Sequence, residues 1–166
     1  MTDDTYMFHQ TPYDCARDLL QYIDFEDGDK VIEPFRGEGA FYNQFPDNVN
    51  KDWAEIREGK DYRDIANDYD WVITNPPFKL QIGTKKVNTF WFLLDHFTQH
   101  ARKGVAFLGN DYCLGTLTPK RLEILKARGW NITKCVVCSI KKWRGRYFFC
   151  VFEKKQGFFH HLLTNY

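Results

Sequence analysis

Short apolar runs along the chain alternate with segments whose apolar residues recur every three or four positions. The runs predict buried strands, and the second spacing predicts amphipathic helices. The predicted strands are KVIEPF, VNKDWAEI, DWVIT and GVAFLGN. The predicted helices are TPYDCARDLLQYI, TFWFLLDHFTQHA and TPKRLEILKARG. Thr11 and Thr118 stand at N-cap positions, and a proline suited to the first helical turn follows each of them.

Two more β-rich runs, WNITKCVVCSI and YFFCVFEKK, lie near the end of the chain. Only the few residues of KKWRGR separate them, too few for a crossover, so they predict an antiparallel pair. The preceding alternation of strands and helices predicts a mostly parallel sheet with helices on both faces. After the first strand, RGEGAFYNQF predicts a glycine-bearing turn and then a helix, whereas residues 79–88 predict a basic loop.

The composition is that of a globular protein, with 43% hydrophobic and 17% aromatic residues. A length of 166 residues predicts a single domain over residues 1–166. No stretch approaches the roughly 20 apolar residues of a membrane-spanning helix. The opening MTDDTYMFHQ lacks a basic region followed by an apolar run, so we expect a cytoplasmic or nucleoid-associated protein that is not secreted.

Five cysteines leave one unpaired in any disulfide framework, which also indicates a reducing compartment. Cys135 and Cys138 form a C-x-x-C pattern that could suggest zinc or redox chemistry. A zinc site needs a second ligand pair at suitable spacing, and the sequence has none. We therefore expect structural cysteines within a buried strand and predict no metal site.

Charge is distributed unevenly, although the net formal charge is only +1. Residues 1–78 carry 18 acidic and 7 basic side chains, while residues 79–166 carry 4 acidic and 16 basic ones. This asymmetry predicts a polyanionic partner on the C-terminal half. The alternative is that the two halves interleave in space and neutralise each other.

The first chemical motif is Val31-Ile32-Glu33-Pro34-Phe35-Arg36-Gly37-Glu38-Gly39. Glycines at alternate positions after a strand let a ligand approach the backbone closely. Tyr42 stands where a dinucleotide-binding turn would have its third glycine, and no Gly-Lys-Ser/Thr follows for a phosphate loop. Glu33 places a carboxylate at the carboxyl end of the strand, where open α/β sheets bind ligands, and favours a cationic ligand.

The second motif, Asn75-Pro76-Pro77-Phe78, ends the third predicted strand. Consecutive prolines cannot donate to a strand ladder, so the sheet stops there and the chain is stiff. An ordinary loop with two prolines is the alternative. The functional interpretation concerns an exocyclic amine, whose lone pair is delocalised into its ring. The Asn75 side-chain oxygen and the Pro76 carbonyl can accept hydrogen bonds from the two N–H groups of this amine. Phe78 offers an aromatic plane for a base taken out of its stack.

In this order, the Thr-Pro helix start, GluProPheArgGlyGluGly and AsnProProPhe resemble the class I N6-adenine methyltransferases. The resemblance covers residues 8–80 well and the rest loosely. It implies a Rossmann-like class I methyltransferase sheet that binds S-adenosyl-L-methionine. Glu33, Phe35, Gly37 and Gly39 would border the methionine part of the cofactor, and Thr11 would reach its carboxylate. The resemblance further places Glu55 at the ribose hydroxyls and Asp61 and Tyr62 at the adenine of the cofactor. Asn75 is also expected to border the cofactor.

The chain departs from the family at two points. Few residues separate Glu55 from Trp71, so the usual third strand and its helix are shortened or absent. No segment is long enough for a separate target-recognition domain, so a specificity subunit or a homodimer could complete the protein. The candidate nucleic-acid contacts are Lys79, Lys85, Lys86, Lys141, Lys142, Arg144 and Arg146.

The leading hypothesis is methylation of adenine N6 in DNA by an enzyme that contacts nucleic acid and no membrane. The same chemistry on RNA is a close alternative, because an unpaired base there needs no flipping. A protein glutamine, whose side-chain amide poses the same lone-pair problem, is a second alternative target. A catalytically idle partner subunit is the third alternative.

Overall fold

The protein is built on a six-stranded mixed sheet, seen in a computed structural model that describes residues 9–65, 68–158 and 160. The strands are β1 Lys30–Glu33, β2 Asn50–Trp53, β3 Trp71–Thr74, β4 Lys79–Ile82, β5 Lys85–Asn88, β6 Gly104–Asn110, β7 Asn131–Cys138 and β8 Tyr147–Glu153. The α-helices are α1 Tyr13–Leu20, α2 Thr89–Thr98, α3 Asp111–Gly115 and α4 Pro119–Ala127. Three short 3₁₀ helices span Tyr42–Gln44, Ile56–Glu58 and Tyr62–Asp64. Within the described ranges, none of the helices has both the length and the apolar character needed to cross a bilayer.

The strand order of the sheet is β2-β1-β3-β6-β8-β7. Strands β2, β1, β3 and β6 are parallel, whereas β8 is antiparallel to both β6 and β7. The predicted mostly parallel sheet with an antiparallel C-terminal hairpin is thus confirmed. Because β1 has β2 on one side and β3 on the other, the chain reverses its direction of winding between β1 and β3. Ligands of open α/β sheets bind at such a switch point, outside the carboxyl ends of the strands.

The hydrophobic core lies on both faces of the sheet. One cluster joins α1 to residues such as Val31 and Ile73, and the other joins α2 and α4 to residues such as Ile32 and Val72. The four residues of β3 are all buried, as expected for a central strand covered on both faces. Trp71 fits there because its register partner is Gly104, where a Cβ atom would lie 2.0 Å from the indole ring.

The helix predicted after the glycine turn is absent. Turns and the 3₁₀ helix Tyr42–Gln44 take its place. Pro46 disfavours helical backbone at the preceding residue, and the backbone N–H of Tyr42 donates to the Glu33 carboxylate rather than to a helical carbonyl. This segment therefore packs as a compact turn against the first core cluster.

The two predicted helix caps have different outcomes. Thr118 caps α4 as predicted, its hydroxyl accepting from the Arg121 backbone N–H at 3.4 Å. In α1, Pro12 occupies the N-cap position and no side chain caps the helix. The Thr11 hydroxyl instead contacts Asn75.

The predicted basic loop of residues 79–88 is a two-stranded antiparallel hairpin, β4–β5. Its register pairs Leu80 with Val87 and Ile82 with Lys85. Gly83 supports the tight turn with a φ of 60°. The prediction was wrong because the lysine-rich composition hides a period-two pattern. By contrast, the described residues between Glu55 and Trp71 hold two 3₁₀ helices and no strand, which agrees with the expected loss.

Candidate active site

The two motifs meet at the carboxyl edge of the sheet. The register of β1 with β3 pairs Ile32 with Val72, so the glycine turn and the Asn-Pro-Pro-Phe segment leave neighbouring strands at about the same level. The segment after β2, which carries Glu55, reaches this edge beside them. Parallel pairing thus gathers residues that are distant in sequence.

The glycine turn is fastened to the segment that follows β2. Arg36 N–H donates to the Ala54 carbonyl at 2.9 Å, and Gly37 N–H donates to Glu55 Oε2 at 2.9 Å. Gly37 and Gly39 have φ angles of 54° and 83°, in the left-handed region that favours glycine. The predicted glycine turn is therefore present, shaped by the acidic residue of the neighbouring strand.

Glu33 is buried at the end of β1, and its Oε2 accepts the Tyr42 backbone N–H at 2.7 Å. Burial raises the pKa of this carboxyl well above its ordinary value, more than the Tyr42 bond and nearby Arg36 lower it. A buried carboxyl of this kind gains from a neighbouring cation. The placement is compatible with the cationic ligand inferred from the sequence.

Glu55 and Asp61 are each paired with the arginine two residues further along. Glu55 Oε1 accepts from the backbone N–H of Arg57 at 3.1 Å and from its Nε at 2.9 Å. Asp61 Oδ1 accepts the corresponding two bonds from Arg63, each at 2.9 Å. Although burial opposes ionisation, these hydrogen bonds lower the pKa of the Glu55 carboxyl. The Arg63 bond is the main cause of the lowered pKa of Asp61. Both acids are therefore held as ionised acceptors.

These acids open into one cavity of about 160 Å³, named here the carboxyl-edge cleft. Its lining is Pro34, Phe35, Glu55, Ile56, Asp61, Tyr62, Arg63, Pro77, Leu80, Ile82 and Phe92. Phe35, Glu55, Asp61 and Tyr62 were all predicted from sequence to bind one ligand, and the cleft brings them together. Ile56, Ile82 and Phe92 are large apolar side chains left exposed at the cleft. Exposed apolar groups that converge on one cavity favour a flat, partly apolar ligand.

Asn75 has a fixed orientation at the end of β3. Its Nδ2 donates to the His9 carbonyl at 2.9 Å and approaches the Thr11 hydroxyl at 3.3 Å. Among the described residues no hydrogen bond reaches its Oδ1 or the Pro76 carbonyl. Two oxygen acceptors thus remain unused in the rigid segment that was predicted to supply them. Thr11 is tied to Asn75 rather than to a helix end.

An aromatic group surrounds this segment. The rings of His9 and Phe78 lie 5.6 Å apart, and those of His9 and Trp143 lie 5.4 Å apart. The ring of Trp143 is also 4.6 Å from that of Tyr147. The sequence analysis missed His9 and Trp143 as site residues. An aromatic residue within the basic run Lys141–Arg146 was the available indication, because aromatic and basic side chains together are typical of nucleic-acid contacts.

Basic side chains flank the site in two places. Lys79 and Lys85 are exposed on the β4–β5 hairpin, and the side chain of Lys86 lies outside what the structure describes. The β7–β8 loop, residues 139–146, exposes Lys141, Lys142, Arg144 and Arg146. Within the described residues none of these six exposed side chains forms an ion pair. Both elements lie at the carboxyl edge of the sheet.

Other basic residues of the C-terminal half do neutralise the acidic half. Lys103 pairs with Glu26 and with Asp29, and Lys134 pairs with Asp24. The two halves therefore interleave in part, as the alternative interpretation of the charge pattern proposed. The basic residues of this half that form no ion pair within the described chain include those of the β4–β5 hairpin and the β7–β8 loop, together with Lys120, Arg121 and Lys126 of α4 and Lys154 after β8.

The cysteines do not form a metal centre. All five are free thiols, and no cluster of three potential ligands occurs in residues 9–65, 68–158 and 160. Cys135 packs with the α2-side cluster and Cys138 with the α1-side cluster. Strand alternation thus turns the two sulfurs of the C-x-x-C pattern to opposite faces of the sheet, where they cannot share one ion.

Comparison by sequence finds no matching family model and no matching curated protein. Comparison of folds finds solved methyltransferase structures. TrmN from Thermus thermophilus is 18% identical, with a TM-score of 0.58 over 87% of this chain and 49% of that chain. A Vibrio vulnificus YJ016 protein, described as a modification subunit of a type I restriction enzyme, is 14% identical, with a TM-score of 0.65 over 94% and 46%.

A chain from the E. cuniculi Mtq2-Trm112 complex is 16% identical, with a TM-score of 0.59 over 90% of this chain and 99% of that chain. This protein therefore spans about half the length of the first two structures and nearly all of the third. The expected Rossmann-like class I methyltransferase fold is confirmed. At these identities the likeness concerns the fold alone.

Proposed function

We propose that this chain is an S-adenosyl-L-methionine-dependent methyltransferase that methylates an exocyclic amine, with adenine N6 in DNA as the leading target. One observation carries the proposal. Asn75 Nδ2 is fixed by His9 and Thr11, no described residue donates to its Oδ1, and Pro77 of the same segment lines the carboxyl-edge cleft. The methyltransferase fold supports the cofactor, and the motif resemblance supports the target.

The cleft fits the parts of such a cofactor. Asp61 can accept from an adenine amino group, and Ile56 and Phe92 can lie against the purine ring. Glu55 retains one acceptor position, on Oε2, for a ribose hydroxyl, since each carboxylate oxygen has two lone pairs and three of the four are taken by Arg57 and Gly37. The raised pKa of Glu33 suits a neighbouring ammonium group, which would favour its ionised form. When bound, the cofactor supplies a methyl group on an electrophilic sulfonium.

The residues of the Asn-Pro-Pro-Phe segment act on the target amine. Asn75 Oδ1 and the Pro76 carbonyl accept hydrogen bonds from the two N–H groups of the amine. These bonds direct the nitrogen lone pair toward the methyl donor. With the cofactor bound, the methyl group would pass from the sulfonium to this nitrogen, leaving a neutral thioether, and the cationic product would lose a proton to water. No strong general base is needed, because that proton is acidic after transfer.

A nucleic-acid target is supported by the substrate side of the site. Phe78 and Trp143 offer aromatic planes, and stacking of a base on such a plane contributes roughly 1–3 kcal/mol. The unpaired basic groups of the β4–β5 hairpin and the β7–β8 loop suit phosphates on either side. In DNA the base would have to be flipped out of the helix, whereas an unpaired RNA base would not.

Two alternatives remain open. The complex that includes Mtq2 is described as responsible for methylation of a translation termination factor, so a protein amide is a second candidate target. The match to a modification subunit makes a partner-dependent or idle subunit the other alternative, and a specificity subunit or a second copy could then supply target selection.

The test has two stages. Calorimetry should first detect binding of S-adenosylmethionine to the purified chain; no detectable binding would contradict the proposal and favour an idle subunit. Labelled cofactor is then incubated with DNA and RNA oligonucleotides, followed by mass-spectrometric nucleoside analysis. We expect N6-methyl-2′-deoxyadenosine from DNA or, for the alternative target, N6-methyladenosine from RNA. Methylation found only on cytosine or guanine would overturn the adenine assignment. A protein-directed activity should be insensitive to non-substrate nucleic acid as competitor.

A further inference from the structure

Asp61 and Arg63 are joined by more hydrogen bonds than the proposed contact of Asp61 with a cofactor requires. Asp61 Oδ1 accepts the backbone N–H and the Nε of Arg63, and Oδ2 accepts Nη2 at 2.5 Å. The backbone bond makes Asp61 the N-cap of the 3₁₀ helix Tyr62–Asp64. A planar guanidinium with two parallel bonds fixes the plane of the carboxylate. Asp61 therefore has one orientation at the wall of the carboxyl-edge cleft.

Counting acceptor positions shows what this orientation leaves available. An ionised carboxylate has about four lone-pair sites, two on each oxygen. Arg63 occupies both sites of Oδ1 and one of Oδ2. A single acceptor position remains, on Oδ2. This lone pair can accept one hydrogen bond from a donor group of a ligand in the cleft, but it cannot bind an acceptor group of the ligand.

We propose that Arg63 is a positioning residue that fixes Asp61 as a single acceptor, and that it thereby makes the cleft selective for a 6-amino purine over a 6-oxo purine. The inference rests on the proposed function, because the purine is that of the bound cofactor. An adenine amino group donates to the remaining lone pair of Oδ2. The 6-oxo group of a hypoxanthine would face that lone pair with another acceptor and leave both unpaired.

The environment of Asp61 agrees with this role. Arg63 is the charged group bound to it, the charge of Asp64 helps to raise the pKa of Arg63, and Tyr62 and Glu55 also line the cleft. Arg63 lowers the pKa of Asp61, so this carboxyl stays ionised well below neutral pH and carries no proton to donate to a 6-oxo group.

A second bidentate pair in the same chain provides a matched control. Arg102 donates to both oxygens of Asp70 at 3.0 and 3.3 Å. The exposed fractions are similar, 52% and 13% for Arg102 and Asp70 against 68% and 15% for Arg63 and Asp61. Asp70 precedes β3 and Arg102 precedes β6, so this pair lies at the amino edge of the sheet, away from the cleft. Exposed pairs usually contribute little to stability, so a difference between the two pairs would concern the ligand.

The experiment measures by calorimetry the affinities of S-adenosylhomocysteine and of its deaminated 6-oxo analogue, S-inosylhomocysteine. The proteins are wild type, Arg63→Gln, Asp61→Asn and Arg102→Gln. Wild type should prefer the amino form by about 100-fold or more, since a site built for a donor rejects its absence strongly. Arg63→Gln should reduce that ratio by about tenfold. Asp61→Asn should reduce it further, because its amide can donate to a 6-oxo group.

The pH dependence gives a readout that a purely structural role would not change. Any pH dependence that other groups such as Glu33 give to cofactor binding is shared by wild type and Arg63→Gln, so these two proteins are compared with each other. As pH falls toward about 4, the ordinary range of aspartate, the affinity of Arg63→Gln for S-adenosylhomocysteine should weaken more than that of wild type, because its Asp61 becomes protonated earlier. Arg102→Gln should match wild type in ratio and in pH profile. An unchanged ratio in Arg63→Gln would overturn the inference, whereas failure of wild type to bind either ligand would overturn the proposed function instead.

Discussion

The two sides of the Asn75–Phe78 segment are built differently. On the cleft side, Glu33, Glu55 and Asp61 are each fixed by hydrogen bonds to backbone or arginine. On the substrate side, the basic residues of the β4–β5 hairpin and the β7–β8 loop are exposed and form no ion pair within the described chain. The cleft is thus arranged before any ligand arrives, while the substrate face supplies charge with little fixed geometry.

This difference indicates how the two ligands would be selected. Preorganised acceptors choose a ligand by its hydrogen-bond donors, and they lose affinity sharply when one donor is missing. Exposed lysines and arginines attract any polyanion and depend on salt. We therefore expect the cleft to be selective for its ligand and the substrate face, acting alone, to be weakly selective.

Of the substitutions considered, removal of the Asn75 side-chain acceptor should have the largest effect, and it should act on the rate of methyl transfer. We predict that Asn75→Ala lowers the rate of methyl transfer by about 10²–10³-fold, as loss of one preorganised polar group does in other active sites. Cofactor affinity should change little, because Glu55 and Asp61 still line the cleft and Glu33 still stands at the end of β1. Single-turnover assays with labelled cofactor measure the first quantity and calorimetry the second.

Asn110 provides the control for that substitution. It ends the neighbouring strand β6, and its side chain caps α3 by accepting from the Cys113 backbone N–H at 3.0 Å. Asn110→Ala should lower stability by about 1 kcal/mol without a comparable loss of rate. A wild-type rate in Asn75→Ala would make the proposed mechanism wrong.

A smaller effect is expected inside the cleft. Glu55→Ala removes the acceptor of Gly37 N–H and of the proposed ribose hydroxyl, so cofactor affinity should fall about 10- to 100-fold. The rate at saturating cofactor should stay close to wild type. Glu55→Gln keeps one acceptor oxygen, so its cofactor affinity should lie between that of wild type and that of Glu55→Ala. An affinity that survives Glu55→Ala would show that the cleft is less preorganised than its hydrogen bonds indicate.

Glu33 should couple cofactor binding to protons. Its raised folded pKa makes the free protein less stable as pH rises from the ordinary carboxyl range through that pKa, because a buried charge is then created. An ammonium group bound beside it would stabilise the charge, so cofactor binding should release up to one proton. Calorimetry in buffers of different ionisation enthalpy measures this release. Glu33→Gln should abolish this proton release and should flatten the decline of Tm with pH. Equal proton release from wild type and Glu33→Gln would show that Glu33 does not contact the cofactor.

The smallest effects belong to the substrate face. Lys79→Ala and Lys85→Ala should each weaken nucleic-acid binding a few-fold and reduce the slope of log affinity against log salt by about 1. Lys154→Ala, beyond β8 at the opposite edge of the sheet, is the control and should change neither quantity. A loss confined to one nucleotide sequence would instead indicate a base contact.

The sequence predicted the elements whose residues determine their own local structure. The strand β3 is an uninterrupted apolar run, and α4 has Thr118 at its start and Gly129 just beyond its end. The helix after the glycine turn was predicted wrongly because tertiary hydrogen bonding decided that segment. Glu33, at the end of β1, accepts the N–H of Tyr42, which a helix would have used for its own backbone.

The candidate site shows the same division. The resemblance to a known family assigned Glu55 and Asp61 to one cofactor, and both side chains line the cleft. Their arginine partners and the placement of His9 beside Trp143 depend on side-chain packing between distant segments, which no periodicity along the chain reports. The residues that would contact the cofactor could therefore be assigned from the sequence, whereas the partners that fix their side chains could not.

The short segment between β2 and β3 has a last consequence, for self-association. Among the residues that the structure describes, no further strand pairs with β2, which is thus an outer strand of this sheet with amide and carbonyl groups that face away from it. Such edges can recruit another chain, but β2 has four residues and carries Lys51 and Asp52. At the other edge β7 is longer, and an irregularity between Ile132 and Lys134 interrupts its pairing. Both borders of the sheet are therefore poor templates for amyloid-like stacking.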